Sequence, residues 1–272
     1  MAFTENVNGY LTRLAGKAVL NGTEKISIGL SINALKQRLD SYFSGQLAET
    51  LIFGSYSRGT ILPRSLDERS DIDYMVVFSD GNYRPQTYLD KLRRFVEMYY
   101  RSSEIVQSHP TIQLKLGHIC FELVPATKDW FGGMKIPAKA SDYVNWVDTD
   151  PIGFNATLVA KNQENGQLIK PLVRLIKYWN ARNGYPFESY ALEQQVVSQN
   201  YNSWNVFDTQ QRSLKDCFYI FMEDLDAGYY TPQWTRQLIE RVKRSIASVK
   251  AYEAAGSTSQ AVSLIRQLLP MN

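Results

Sequence analysis

Apolar residues recur at helical spacing from the start of the chain. The first 20 residues read as helix, and a second helix is expected from about Ser31 to Phe43, with Ile32, Leu35, Leu39 and Phe43 on one side. Ser44-Gly45 ends it. Thr50–Phe53 is a short apolar run that stops at Gly54, the pattern of a buried strand entering a tight turn. Asp71–Phe78 (DIDYMVVF) predicts a second strand, closed by the turn residues Ser79-Asp80-Gly81-Asn82. Tyr88–Tyr100 predicts a helix with Leu89, Leu92, Val96 and Tyr99 on one side. Thr111–Leu116 and His118–Pro125 predict two strands joined at Gly117 as a hairpin. Phe131–Ser141 reads as loop. Beyond Asn165-Gly166 the pattern is helical: Leu168, Leu172, Leu175, Ile176 and Trp179 share a face. Further helices are expected around Leu214–Leu225, Trp234–Tyr252 and Ser259–Leu269.

These elements predict an α+β protein. Residues 1–165 form a mixed sheet flanked by helices, and residues 166–272 form an all-helical domain, on which the first helix packs. A chain of 272 residues is long enough for two such domains.

Composition narrows the class. Apolar residues at 44% and charged residues at 21% are ordinary for a globular protein, which argues against disorder. A net charge of +3 is too mild to argue for nucleic-acid binding without a local patch. Cys120 and Cys217 each sit in an apolar run and read as buried thiols. With only His109 and His118 besides, a zinc site is not expected, and both histidines read as structural. No apolar stretch approaches the roughly 20 residues of a membrane span. The first residues lack the order of a signal peptide. A cytoplasmic protein without membrane association is the expectation.

The candidate chemistry begins at Asp71 and Asp73. Side chains two apart on a strand share a face. Two adjacent carboxylates repel unless a cation lies between them, and hard oxygen donors suit Mg²⁺ or Mn²⁺. A solvated turn at a strand start is the plainer alternative. Upstream stands Gly54-Ser55-Tyr56-Ser57-Arg58-Gly59-Thr60. Gly54 permits close backbone approach, Ser55 offers a hydroxyl and an N–H, and a helix starting here would favour phosphate. Glu122, in Phe121-Glu122-Leu123, faces opposite to its apolar neighbours, and a buried lone acid there would be costly without a partner. Downstream, a helical wheel centred on Leu168 puts Lys177 about 180° away, with Lys170 and Arg174 also on the polar side. The basic groups Arg93-Arg94 and Arg241/Lys243/Arg244 read as solvated helix faces, the latter alternatively as an RNA or partner surface.

Strand, Gly-Ser, Arg-Gly-Thr, a gap and then Asp-x-Asp on the next strand together resemble the DNA polymerase β-like nucleotidyltransferase superfamily. Residues 63–70 look like a small insertion between its two motifs, and Glu122 stands where Asp is usual. Trp146-Val147-Asp148-Thr149-Asp150-Pro151, Ile176-Lys177-Tyr178-Trp179-Asn180 and Glu188-Ser189-Tyr190-Ala191-Leu192-Glu193 follow in that order. This arrangement is similar to the bacterial cGAS/DncV-like nucleotidyltransferases over about residues 30–200.

The resemblance implies a polymerase β-like catalytic domain with an oligoadenylate-synthase-like helical domain. It implies a cyclic di- or trinucleotide made from nucleoside triphosphates in antiphage defence. Two Mg²⁺ or Mn²⁺ ions would lie between Asp71, Asp73 and Glu122. Gly54, Ser55, Lys177 and Ser189 would hold the phosphates, and Tyr190 would stack on a base or else be a core aromatic. Glu193 would buttress its helix. A regulatory protein or nucleic-acid ligand would be a further partner of a monomer or weak homodimer. Other readings share the motifs: extension of an RNA 3′ end, as in tRNA CCA-adding enzymes, and transfer of a nucleotide to a protein, as in shorter toxin and antitoxin transferases. A nucleotide-binding regulator on a decayed transferase fold is favoured by Glu122 and opposed by the intact Gly54, Ser55, Asp71 and Asp73.

Overall fold

The structure is a computed structural model that describes residues 5–101, 103–108, 110–138, 145–201, 212–226, 228 and 231–271. The chain divides into two compact units, one of Leu20–Ala156 and one of Met1–Val19 with Thr157–Asn272. Among the described residues no helix is long and apolar enough to cross a membrane.

The chain opens with α1 (Val7–Lys17), capped by the Asn6 side chain on the Gly9 N–H, and this helix belongs to the second unit. The sheet unit starts with α2 (Gly22–Tyr42). Its first turn carries a reciprocal cap. Asn21 Oδ1 accepts from Glu24 N at 2.9 Å, and Asn21 N donates to Glu24 Oε2 at 2.8 Å. That cap starts the helix well before Ser31, where apolar spacing alone predicts it.

Then come β1 (Leu47–Ile52), α3 (Gly54–Arg58), β2 (Asp71–Phe78), α4 (Pro85–Tyr99), β3 (Glu104–Ser108), β4 (Thr111–Lys115), β5 (Cys120–Lys128), β6 (Met134–Pro137) and β7 (Trp146–Thr149). The sheet order is β1-β2-β5-β4-β3, with β6 bridging β5 and β7. β2 and β5 run parallel and the other pairs antiparallel, so the sheet is mixed as expected. The hairpin at Gly117 is present, closed by Leu116 N on the Ile119 carbonyl at 2.8 Å. The loop expected over Phe131–Ser141 is corrected in part: β6 lies within it, too short to show a period of two.

β2 explains the sheet's two faces. Ile72, Tyr74, Val76 and Phe78 point to one core with Leu35 and Leu39 of α2, Leu89, Leu92 and Phe95 of α4, and Phe121 and Leu123 of β5. Met75 and Val77 point the other way, packed with Ala126 and against Leu51, Phe53, Met134 and Ile136. Strict alternation then places Asp71 and Asp73 on this second face, at the strand's start.

The helical unit holds α1 and most of α5 (Gly153–Glu164), with α6 (Ile169–Arg182), α7 (Ser189–Ser198), α8 (Leu214–Asp224), α9 (Gln233–Ala254) and α10 (Thr258–Leu268). Its two sequence ends are laced together. Tyr10 donates to the Leu269 carbonyl and Tyr178 to the Pro270 carbonyl, each at 2.6 Å, and Glu5 pairs with both Arg13 and Arg266.

Candidate active site

The turn from β1 into α3 is built around Asp73. Phe53 N donates to the Asp73 carbonyl at 3.1 Å. Gly54 follows at φ +66°, where a Cβ would lie 1.7 Å from Asp73 Oδ2. Only a residue without a side chain lets the backbone cross the carboxylate there, and the left-handed φ independently favours glycine. Ser57 Oγ donates to the Gly54 carbonyl at 2.9 Å, and the Ser55 carbonyl accepts from Thr60 N and Ile61 N at 2.9 and 3.1 Å. α3 is thereby fixed, with the Ser55 side chain half-buried at its start. Residues 63–70 form two tight turns rather than an open loop. Leu66 N and Asp67 N donate to the Pro63 carbonyl, and buried Asp67 accepts from Arg69 N at 3.0 Å.

Asp71 and Asp73 are both half-buried. Parallel pairing puts Glu122 directly beside Asp73, and Cys120 beside Asp71. Antiparallel pairing continues these rows to Gln113 and Lys115 on β4. Gln113 Nε2 donates to Glu122 Oε1 at 2.7 Å, while Lys115 pairs with Glu104 at 2.8 Å. The structure therefore brings Gly54, Ser55, Asp71, Asp73 and Glu122 together at one end of one sheet face.

The electrostatics register in the thiol among them. Burial, and then the charges of Asp71 and Glu122, push Cys120 up to about 11, so it stays a neutral thiol. Gln113 and Cys120 carried no sequence signal of their own, and only strand register reveals them as neighbours of the carboxylates.

Among the described residues no three His, Cys, Asp or Glu side chains converge on a ready-made metal cage. The donors still suit Mg²⁺ or Mn²⁺, since Mg²⁺ is usually held by one or two carboxylates plus waters and substrate oxygens. Asp71 and Asp73 supply that pair. Glu122, bonded by Gln113 through Oε1, stands in register beside Asp73 as a further hard oxygen donor that could complete such a set.

In the helical unit, the placement of Lys177 on a polar face is corrected. Lys177 is 6% exposed, and its Nζ lies 3.2 Å from Oε1 of Glu193, itself 1% exposed. The wheel failed because Leu168 caps α6 instead of centring its buried face, and α6 is covered on most sides. Arg174 is likewise half-buried, donating to the Ala15 carbonyl at 3.4 Å. Glu193 ties α7 to α6, in line with a buttressing role. Ser189 begins α7 and is half-buried, and Tyr190 is 47% exposed, so Tyr190 is not a core aromatic. His118 contacts Ser31 Oγ through Nε2 at 3.0 Å, while His109 lies outside the described residues.

The profile of the SMODS family (Second Messenger Oligonucleotide or Dinucleotide Synthetase domain) matches residues 6–162. The chain belongs to this family. The SMODS chain is 27% identical over 159 residues, 56% of its length, to the cyclic AMP-AMP-AMP synthase of Acinetobacter sp., and it spans 45% of that relative. Its fold is similar to that of apo Vibrio cholerae DncV, with a TM-score of 0.74 at 12% identity, covering 97% of this chain and 95% of that one. It is also similar to the Bradyrhizobium diazoefficiens CD-NTase CdnG in complex with GTP, with a TM-score of 0.69 at 12% identity, covering 98% and 99%. The cGAS/DncV-like resemblance read from the motifs holds, with its mixed sheet, flanking helices and helical C-terminal part.

Proposed function

We propose that this SMODS chain is a metal-dependent nucleotidyltransferase that joins nucleoside triphosphates into a cyclic di- or trinucleotide, with release of pyrophosphate, as a signal in antiphage defence. The observation that carries this reading is the carboxylate row: Asp71 and Asp73 on one face, Glu122 in register with Asp73, and Gly54 held against the Asp73 carboxylate. Asp71, Asp73 and Glu122 would hold Mg²⁺ or Mn²⁺, two ions in the full reading, which when bound supply positive charge to the attacking hydroxyl and the departing pyrophosphate.

The protein's own groups bind and orient. α3 presents the Ser55 hydroxyl and first-turn N–H groups that have no partner within the helix, a setting for phosphate oxygens. Gly54 keeps the backbone low enough for phosphate to approach Asp73. Gln113 holds Glu122 by one oxygen. In the helical unit Lys177, paired with Glu193 at 3.2 Å, is assigned to the triphosphate. Ser189 is assigned to the same phosphates. The exposed Tyr190 ring is assigned to a base, a stack worth roughly 1–3 kcal/mol in single-strand binders. Catalysis then rests on positioning and charge.

The Acinetobacter relative makes a cyclic triadenylate the first product to seek, and the GTP held by B. diazoefficiens CdnG makes GTP the second substrate to try. The test is mass spectrometry of products from all four nucleoside triphosphates with Mg²⁺ and with Mn²⁺, with and without tRNA. A cyclic product lost in the Asp71→Asn/Asp73→Asn variant is the expected result. Undiminished turnover in that variant, or elongated tRNA in place of a small cyclic product, overturns the reading.

A further inference from the structure

On the helical unit a groove runs between α9, α10 and the C-terminal end of α6. Two contiguous cavities of about 330 and 490 Å³ make it up, sharing Asn183, Leu238 and Arg241. Its floor is apolar, with Trp179, Leu238, Val242 and Leu264. Its wall is a single stripe of α9. Trp234, Leu238, Arg241 and Ser245 are spaced four, three and four residues apart, which keeps them on one helical face.

Two features of that stripe bear on a ligand. The first is charge. The helical unit pairs Arg13 and Arg266 with Glu5, Lys215 with Glu253, Lys250 with Glu223 and Lys177 with Glu193. Arg241 and Arg244, one turn apart at the groove, have no ion-pair partner among the described residues. Guanidinium forks recognise phosphate by paired donors. The second is the ring. Trp234 is 52% exposed at the groove's end. Seven residues of helix separate Trp234 from Arg241, about 10 Å along the axis. A planar ring on the indole would thus place an anionic tail at the arginines. Asn183, which lines both cavities, donates its Nδ2 to the Trp179 carbonyl at 2.7 Å.

We infer that this groove is a second, non-catalytic site for a free nucleotide, whose base stacks on Trp234 and whose phosphate is gripped by Arg241 and Arg244. A concavity of this size suits a small ligand. A single strand of RNA needs a longer basic track than two guanidiniums, and the chain's net charge of +3 supplies little more. The site stands independently of the catalytic reading.

The test is calorimetric titration of the full chain in EDTA with AMP, ATP and adenosine, which needs neither metal nor turnover. AMP and ATP are expected to bind, and adenosine roughly tenfold or more weakly for want of the charged contacts. The Arg241→Glu/Arg244→Glu variant is expected to lose the same factor for AMP, and Trp234→Ala to weaken all three ligands. Both variants should keep the wild-type melting temperature and, with no added effector, the wild-type rate of product formation. Identical AMP titrations in wild type and the double-arginine variant overturn the inference. So does a single-stranded RNA 12-mer that binds where AMP does not. Loss of product formation with an unchanged AMP titration would count against the catalytic reading alone.

Discussion

A side chain at position 54 has no room beside Asp73: a Cβ on Gly54 would sit 1.7 Å from Oδ2 and 2.5 Å from Cγ of that carboxylate. Gly54→Ala must therefore push Asp73 out of its row or lift the turn. The φ of +66° adds a backbone cost of about 1 kcal/mol. Product formation should fall by roughly 100-fold, the usual effect of displacing a reacting group by about an ångström. The melting temperature should fall by only about 2–4 °C for the backbone cost alone. Initial rates and a melting curve check both, and wild-type rates in the alanine variant would refute the close approach.

Divalent metal should stabilise the folded chain through Asp71 and Asp73. At a free concentration near 100 times its Kd, Mg²⁺ should add about 2.7 kcal/mol to unfolding stability. The Asp71→Asn/Asp73→Asn variant should gain almost nothing. Urea melts in EDTA and in Mg²⁺ measure the difference, and equal gains in the two proteins would place the metal elsewhere.

Lys177 and Glu193 are each nearly sealed from solvent, so neither tolerates losing the other. Lys177→Met should destabilise the chain by about 3–5 kcal/mol, because it leaves a buried carboxylate without its cation. The double change Lys177→Met/Glu193→Leu should recover most of that loss. A double-mutant cycle by chemical denaturation reports the coupling, and additive effects would contradict the buried pair.

Burial pushes the Cys217 thiol up to about 11 from an ordinary 9.0, with Asp216 adding to the shift and Arg212 opposing it. A raised pKa means that folding favours the neutral form. The stabilisation is whole below pH 9 and is lost as pH rises towards 11, amounting to about 2–3 kcal/mol. Melting temperatures of wild type and Cys217→Ala, taken from pH 7 to 11, should converge across that window. Parallel curves would remove Cys217 from the alkaline transition.

How much of this was legible depended on where each residue's partner lies. β2 was read with its observed bounds because Asp71–Phe78 carries its own signal, polar residues alternating at the start and an apolar run after. The carboxylate face followed, since Asp71 and Asp73 need only the period of a strand to coincide. α2 was read short because its start depends on the Asn21–Glu24 cap and not on apolar spacing. β6 and β7 were missed as four-residue strands whose identity comes from pairing with each other. Lys177 was misplaced because its burial depends on Glu193, sixteen positions later and on another helix. Local chemistry was readable, whereas long-range pairing was not.

The bond from Tyr10 to the Leu269 carbonyl joins groups 259 positions apart. On a ribosome, where the N-terminal part emerges first, the sheet unit is one uninterrupted segment and has all its strands as soon as residue 156 is out. The helical unit has its opening helix before the sheet unit but can close around it only after residue 269 is out. Synthesis thus completes the carboxylate row before the unit carrying Lys177, so a product terminated between the two would hold the aspartates without a finished helical unit.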